Sequence, residues 1–169
     1  MIDFNDAGAQ SNYELIPANT LAKARFVIKG GNDPVDNCIT HSKNGDTSYL
    51  DCEFIILEGK YAKRKIFDKI GLSGNDNWVI MGRARIRAIL ESAKGINPKD
   101  MSEIAQKART IESFADLNNL DVVIKIGIEH DKNGVYPDKN RVLAIITPEH
   151  VSQECWQELI RNSTEPLRR

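Results

Sequence analysis

Apolar and polar residues alternate through three successive stretches of this chain, give way once to a helical period, and then alternate through two more. Few folds satisfy that order. "TLAKARFVIKG" sets Ala22, Ala24, Phe26 and Ile28 against Lys23, Arg25, Val27 and Lys29, the pattern of a half-buried strand. After the turn-rich "GNDPVDNCITHSKNGDT", the stretch "SYLDCEFIIL" puts Leu50, Cys52, Phe54 and Ile56 inward. "EGKYAKRKIFDKIGLSG" reads as a third strand, paired to the second through a turn at Gly59. "NWVIMGRARIRAILESAKG" follows as a helix with Asp76 at its N-cap and Gly95 as its stop. Trp78, Val79, Ile86, Ile89, Leu90 and Ala93 form its apolar face. A shorter helix is expected in "NPKDMSEIAQKARTIESF", where Asp100 and Glu103 have capping-box spacing. "LDVVIKIGIEH" and "RVLAIIT" are the last strands, and "EHVSQECWQELIRN" reads as a terminal helix before a frayed "STEPLRR".

The chain therefore reads as mainly β with α additions. Its order, β-β-β-α-β-β, is that of a five-stranded OB-like barrel, with an extra helix before strand four and a C-terminal helix. A generic α+β sheet would give the same string. The predicted domain covers residues 1–162 with a core over 14–147, and residues 163–169 form a flexible tail.

Composition sets limits on function. No apolar run nears the roughly 18–20 residues that span a bilayer, and the polar, acidic start differs from a signal peptide. A cytoplasmic location in a bacterial host cell, with no membrane partner, is the expectation. Cys38, Cys52 and Cys155 stand far apart without CxxC spacing, which excludes a disulfide framework and a zinc knuckle. The net charge of −1 conceals an uneven distribution: residues 60–94 hold 9 basic and 3 acidic side chains, whereas residues 1–59 hold 4 and 9. A binding face depends on that local field rather than on the total.

The orientation of the basic ribbon depends on the turn. A two-residue loop at Glu58-Gly59 would drive Lys63 and Lys65 into the core, at a cost of several kcal/mol each. A three-residue loop, Leu57-Glu58-Gly59, pairs Ile55 with Tyr61, Glu53 with Lys63, Asp51 with Lys65 and Tyr49 with Phe67, all facing out. That register is expected, because a slip of one residue reverses every side chain. It places Tyr49, Tyr61 and Phe67 among Lys63, Lys65 and Lys69, flanked by Lys23, Arg25 and Lys29. Rings that stack on bases and cations that follow phosphates are what single-stranded nucleic acid requires. Lys132, Tyr136 and Lys139 in the last loop extend this candidate interface, and His41 and Lys43 sit in the first. Arg83, Arg85 and Arg87 make a second basic patch that either continues the path or docks a protein. The same pairs also fit plain cross-strand neutralisation.

The segments "ELIPANTLAKARFVIKG", "SYLDCEFIILEGKYAKRKIFDKIGL", "RARIRAILESAKGI" and "SFADLNNLDVVIKIGIE" resemble a phage and prophage early-gene family catalogued as a domain of unknown function. The resemblance runs from about Glu14 to Thr147. It implies an OB-like protein that binds single-stranded DNA as an accessory to recombination and replication. A RecA-like ATPase or an annealing recombinase is the implied protein partner. The chain departs from the family pattern at Asn19, where Gly is usual.

Signals of catalysis are missing. "GLSGND" lacks the ending of a phosphate loop, and neither GxSxG nor HExxH occurs. His41, His130 and His150 have no ligand spacing. A carboxylate nuclease built from Asp33, Asp36, Asp46, Asp51 and Glu53 is the one enzymatic alternative. The expectation is a non-enzymatic single-stranded-DNA-binding protein with little sequence preference and no cofactor, assembled as a homo-oligomer through Val123, Leu143 and Ile145. The competing expectation is an adaptor or inhibitor of a nucleic-acid-processing complex, its basic face set against an acidic protein patch.

Overall fold

The computed structural model describes residues 1–8 and 14–150, and for His150 its backbone only. The expected C-terminal helix and tail, with Cys155, lie outside the described residues. The strands are β1 (Thr20–Ile28), β2 (Thr40–His41), β3 (Ser48–Ile56), β4 (Lys65–Ser73), β5 (Leu120–Glu129) and β6 (Lys139–Ile146). Helix α1 (Asp76–Lys94) lies between β4 and β5, and the short α2 (Glu103–Ala108) and a 3-10 turn at Phe114–Leu117 follow it. All pairings are antiparallel, in the order β2-β3-β1-β5-β6, with β4 on the other side of β3.

Alternation places one face of this sheet indoors. Ala24 and Phe26 of β1, Leu50, Cys52 and Phe54 of β3, and Ile124 and Ile126 of β5 are fully buried. Phe26 and Phe54 are register partners whose rings lie 5.2 Å apart at 59°. Each fully buried side chain of this size contributes roughly 1.5–3 kcal/mol. Helix α1 adds Ile89 and Leu90 to the same core. It approaches β4 closely because Gly82 has no side chain: a Cβ there would stand 2.0 Å from the Gly71 carbonyl oxygen. The Ser92 hydroxyl accepts the Val123 amide N–H at 3.0 Å, tying the last turn of α1 to β5.

Several expectations change. The turn-rich loop contributes a sixth strand, the two-residue β2, which pairs with the start of β3. The sheet is open, since β4 and β6 approach each other without joining in a ladder. Arg85 spans that seam: Nη2 donates to the Val142 carbonyl at 3.3 Å, and Nε lies 3.7 Å from Asp68 Oδ2. The cap of α1 is Asn75, whose side chain accepts from Asn77 and Trp78, not Asp76. The cap of α2 is Ser102, because Asp100 instead spends its carboxylate on the Ser102 amide, and that helix is six residues long. Val123 and Ile145, expected at an exposed apolar surface, are 3% and 4% exposed, and of that trio only Leu143 remains accessible.

The register of the β3–β4 hairpin differs from expectation by four residues. Ile55 pairs with Lys65, Glu53 with Phe67 and Asp51 with Lys69. Four is an even shift, so the face is unchanged: Lys65, Phe67 and Lys69 are exposed, and Ile66 and Ile70 are buried. The loop is long because the Ile56 amide donates to the Arg64 carbonyl at 2.9 Å and the Lys63 amide to Ile56 at 2.7 Å. Closing it takes left-handed backbone at Gly59 and at Lys63, whose φ is 72°.

Candidate nucleic-acid interface

Three adjacent strands turn their odd-numbered side chains to the outer face, where Glu53 is nonetheless buried among its neighbours. Arg25 and Val27 of β1, and Lys29 just past its end, lie beside Ile55, Glu53 and Asp51 of β3, which lie beside Lys65, Phe67 and Lys69 of β4. Phe67 is 59% exposed, a large ring left out in water on the edge strand β4. The Lys29 ammonium stands 5.0 Å from its centroid, and the Lys69 ammonium 5.1 Å from that of Tyr49. Such contacts contribute about 0.5–1 kcal/mol at exposed sites. Tyr49 in turn meets Trp78 of α1, with ring centroids 6.0 Å apart at 51°. Gly71 of β4 allows this, because a Cβ there would stand 2.5 Å from the Trp78 ring.

Carboxylates partly neutralise the face. Lys65 lies 3.5 Å from Glu53, Lys29 lies 3.9 Å from Asp51, and Arg25 meets Asp121 at 2.9 Å. The Asp121 hydrogen bond holds the Arg25 guanidinium above its ordinary pKa. Lys23 lies farther along β1 near Glu58, whose carboxyl is pushed up by burial against the opposing pull of that lysine.

Other expected residues lie at the ends of the sheet. β3 and β5 both run antiparallel to β1, so the β3–β4 and β5–β6 loops share one end. Tyr61 and Lys63 sit in the first of these, Lys132 and Tyr136 in the second, and Lys139 at the start of β6. Tyr61 is not on the sheet face: its ring packs against the core, with Lys60 and Arg64 at 5.5 and 5.9 Å. Arg64 donates to the Glu14 carbonyl at 2.7 Å. Tyr136 is 74% exposed, and the loop beneath it is held by Asp131, which accepts the amides of Val135 and Tyr136; those bonds lower its pKa.

Arg83 and Arg87 face away from the lysines, toward a cavity of about 760 Å³ also lined by Asp36, Arg109, Ile111 and Phe114. Arg87 is committed to Glu91 at 3.0 Å and to the Pro98 carbonyl, so the structure does not bring it to the face. Arg83 has no ion-pair partner among the described residues. His41 meets Asp33 at 2.7 Å within the first loop. Among the described residues no three His, Cys, Asp or Glu side chains gather as a cation site; Asp51 and Glu53 face lysines, while Asp33 and Asp36 accept loop amides.

Trp78 is the residue that periodicity misassigned. It falls on the apolar side of α1, yet its ring borders Tyr49 at the edge of the outer face. The available signal was Gly71 and Gly74 just ahead of it, small residues that make room for a ring. No protein-family model matches the chain, and no curated protein does.

Proposed function

We propose that this protein binds single-stranded DNA on the outer face of β1, β3 and β4, without catalysis and without a cofactor. The carrying observation is that two rings, the exposed Phe67 and the half-buried Tyr49, each have a lysine ammonium about 5 Å away on one continuous sheet surface. Bases stack on such rings for about 1–3 kcal/mol each, and the lysines remain to meet phosphates. The face reads no sequence of its own, since every base has a π-face. The strand order with α1 after the third long strand supports an OB-like barrel left open between β4 and β6. With the resemblance to phage early-gene proteins, this favours an accessory to recombination or replication in a bacterial cytoplasm, working beside a recombinase and as a homo-oligomer.

Titration of labelled oligo-thymidine at several salt concentrations, alongside light scattering, tests the reading. Affinity should fall with salt, and Lys65→Glu with Lys69→Glu should reduce the log–log slope by about 1.4, roughly 0.7 per phosphate contact. An unchanged slope would remove both lysines from the site. No binding at any salt would hand the face to the adaptor reading.

A further inference from the structure

The seam between β4 and β6 holds a cavity of about 350 Å³, within the size range of ligand sites. Its walls are mostly apolar or bare: Gly71 and Gly82 offer only backbone, and Met81 and Leu143 line the sides. Trp78 and Lys69 also line it, and both touch Tyr49, so the cavity opens directly off the row of rings.

The polar end of the cavity is Asp68 with Arg85. Both side chains are one-quarter exposed, and at 3.7 Å their closest approach exceeds a hydrogen bond. Asp68 Oδ1 accepts the Lys69 amide, and Oδ2 is buried with no hydrogen-bond partner among the described residues; within that set Arg85 donates only to the Val142 carbonyl. Asp68 is the one charged side chain on the inward face of β4, between Ile66 and Ile70. Burial raises its pKa against the pull of Arg85. A carboxylate and a guanidinium with unused hydrogen-bonding capacity thus stand side by side at the end of an apolar slot floored by a tryptophan.

We propose that this seam cavity is a nucleobase pocket, and that it selects guanine. The proposal rests on the single-stranded-DNA reading and adds a preference the sheet face lacks. Guanine presents an acceptor, O6, beside two donors, N1–H and the N2 amino group. Arg85 donates to O6, the Asp68 carboxylate accepts from the two N–H groups, and the ring lies against Trp78. Cytosine and adenine offer the carboxylate a single donor group, and thymine one N–H between two acceptors. Discrimination from paired hydrogen bonds of this kind is about tenfold per base.

Fluorescence anisotropy on the full chain tests this with twelve-nucleotide thymidine strands whose central position is thymine, guanine, hypoxanthine or cytosine. The guanine strand should bind about tenfold more tightly than the all-thymidine strand. Hypoxanthine, which lacks the N2 amino group, should lose most of that gain. Ala84→Leu, which narrows the cavity from the helix side without altering Asp68 or Arg85, should abolish the guanine preference. Equal binding of the thymine, guanine and hypoxanthine strands, a preference for cytosine, or a guanine preference that survives Ala84→Leu would overturn the pocket. The base series on the unaltered protein decides the matter if that variant does not fold. An all-thymidine strand that fails to bind at all would instead sink the sheet face, so the two failures are distinct.

Discussion

The sheet face and the far end of α1 are built from the same kinds of residue and use them in opposite ways. At the helix end Glu91 is 3% exposed and holds two arginines, Arg109 at 2.8 Å and Arg87 at 3.0 Å, which also donate to the carbonyls of Asn97 and Pro98. The bonds of Arg109 and of Arg87 Nη2 join α1 to the segment around α2. On the sheet face Lys29 lies 3.9 Å from the accessible Asp51, and the ammonium groups of Lys29 and Lys69 lean on rings. A cation satisfied by a buried carboxylate is architecture. A cation held loosely at the surface, next to an exposed ring, can exchange its partner for a phosphate.

The sharpest way to break this contrast is Glu91→Ala. Removing one member of a buried pair leaves Arg109, only 11% exposed, without its counter-charge, and the expected loss is about 3–5 kcal/mol. Urea unfolding measures it. Lys29→Ala, which loses a 3.9 Å pair with Asp51 whose two side chains are both accessible, should stay within about 1 kcal/mol of the parent. If the two variants unfold at the same urea concentration, the division between architecture and exchangeable surface is wrong.

Phe67→Ala comes next and acts on binding. The ring is more than half exposed, so its removal should barely alter stability while weakening oligo-thymidine binding by about 1–3 kcal/mol. Loss of stability without loss of affinity would mark Phe67 as packing rather than platform. Tyr49→Ala sharpens the test, because Trp78 remains beside it and should retain part of the stacking.

The sequence made the strands legible because alternation is a tertiary signal written locally: Phe26, Phe54 and Ile124 had to face one way. The hairpin's facing was legible too, since any even register keeps Lys65, Phe67 and Lys69 outside. Its length was not. Nothing in a sequence marks a lysine as left-handed, and Lys63 together with Gly59 creates the long loop that displaces Tyr61 from the face. Asn19 is a milder case, where asparagine holds φ 68° at the turn into β1. The Glu91 cluster was also hidden, because Arg109 lies 18 residues away and only the fold of α2 brings it to Glu91.

The smallest effect belongs to Lys63→Gly, and it separates the sheet face from the loop end of the molecule. A non-glycine residue in the left-handed region costs roughly 1–2 kcal/mol, and glycine returns about 0.5–1 kcal/mol of that as chain entropy. The variant should therefore be more stable by about 0.5–1 kcal/mol in thermal or urea unfolding, although it loses an exposed cation. Asn19→Gly should gain less, because asparagine tolerates this conformation better. Binding then locates the path of the strand. If DNA runs only along Lys29, Lys65 and Lys69, Lys63→Gly keeps the parent's salt slope. If it continues over the loop end toward Lys132 and Tyr136, the slope falls by about 0.7, one phosphate contact.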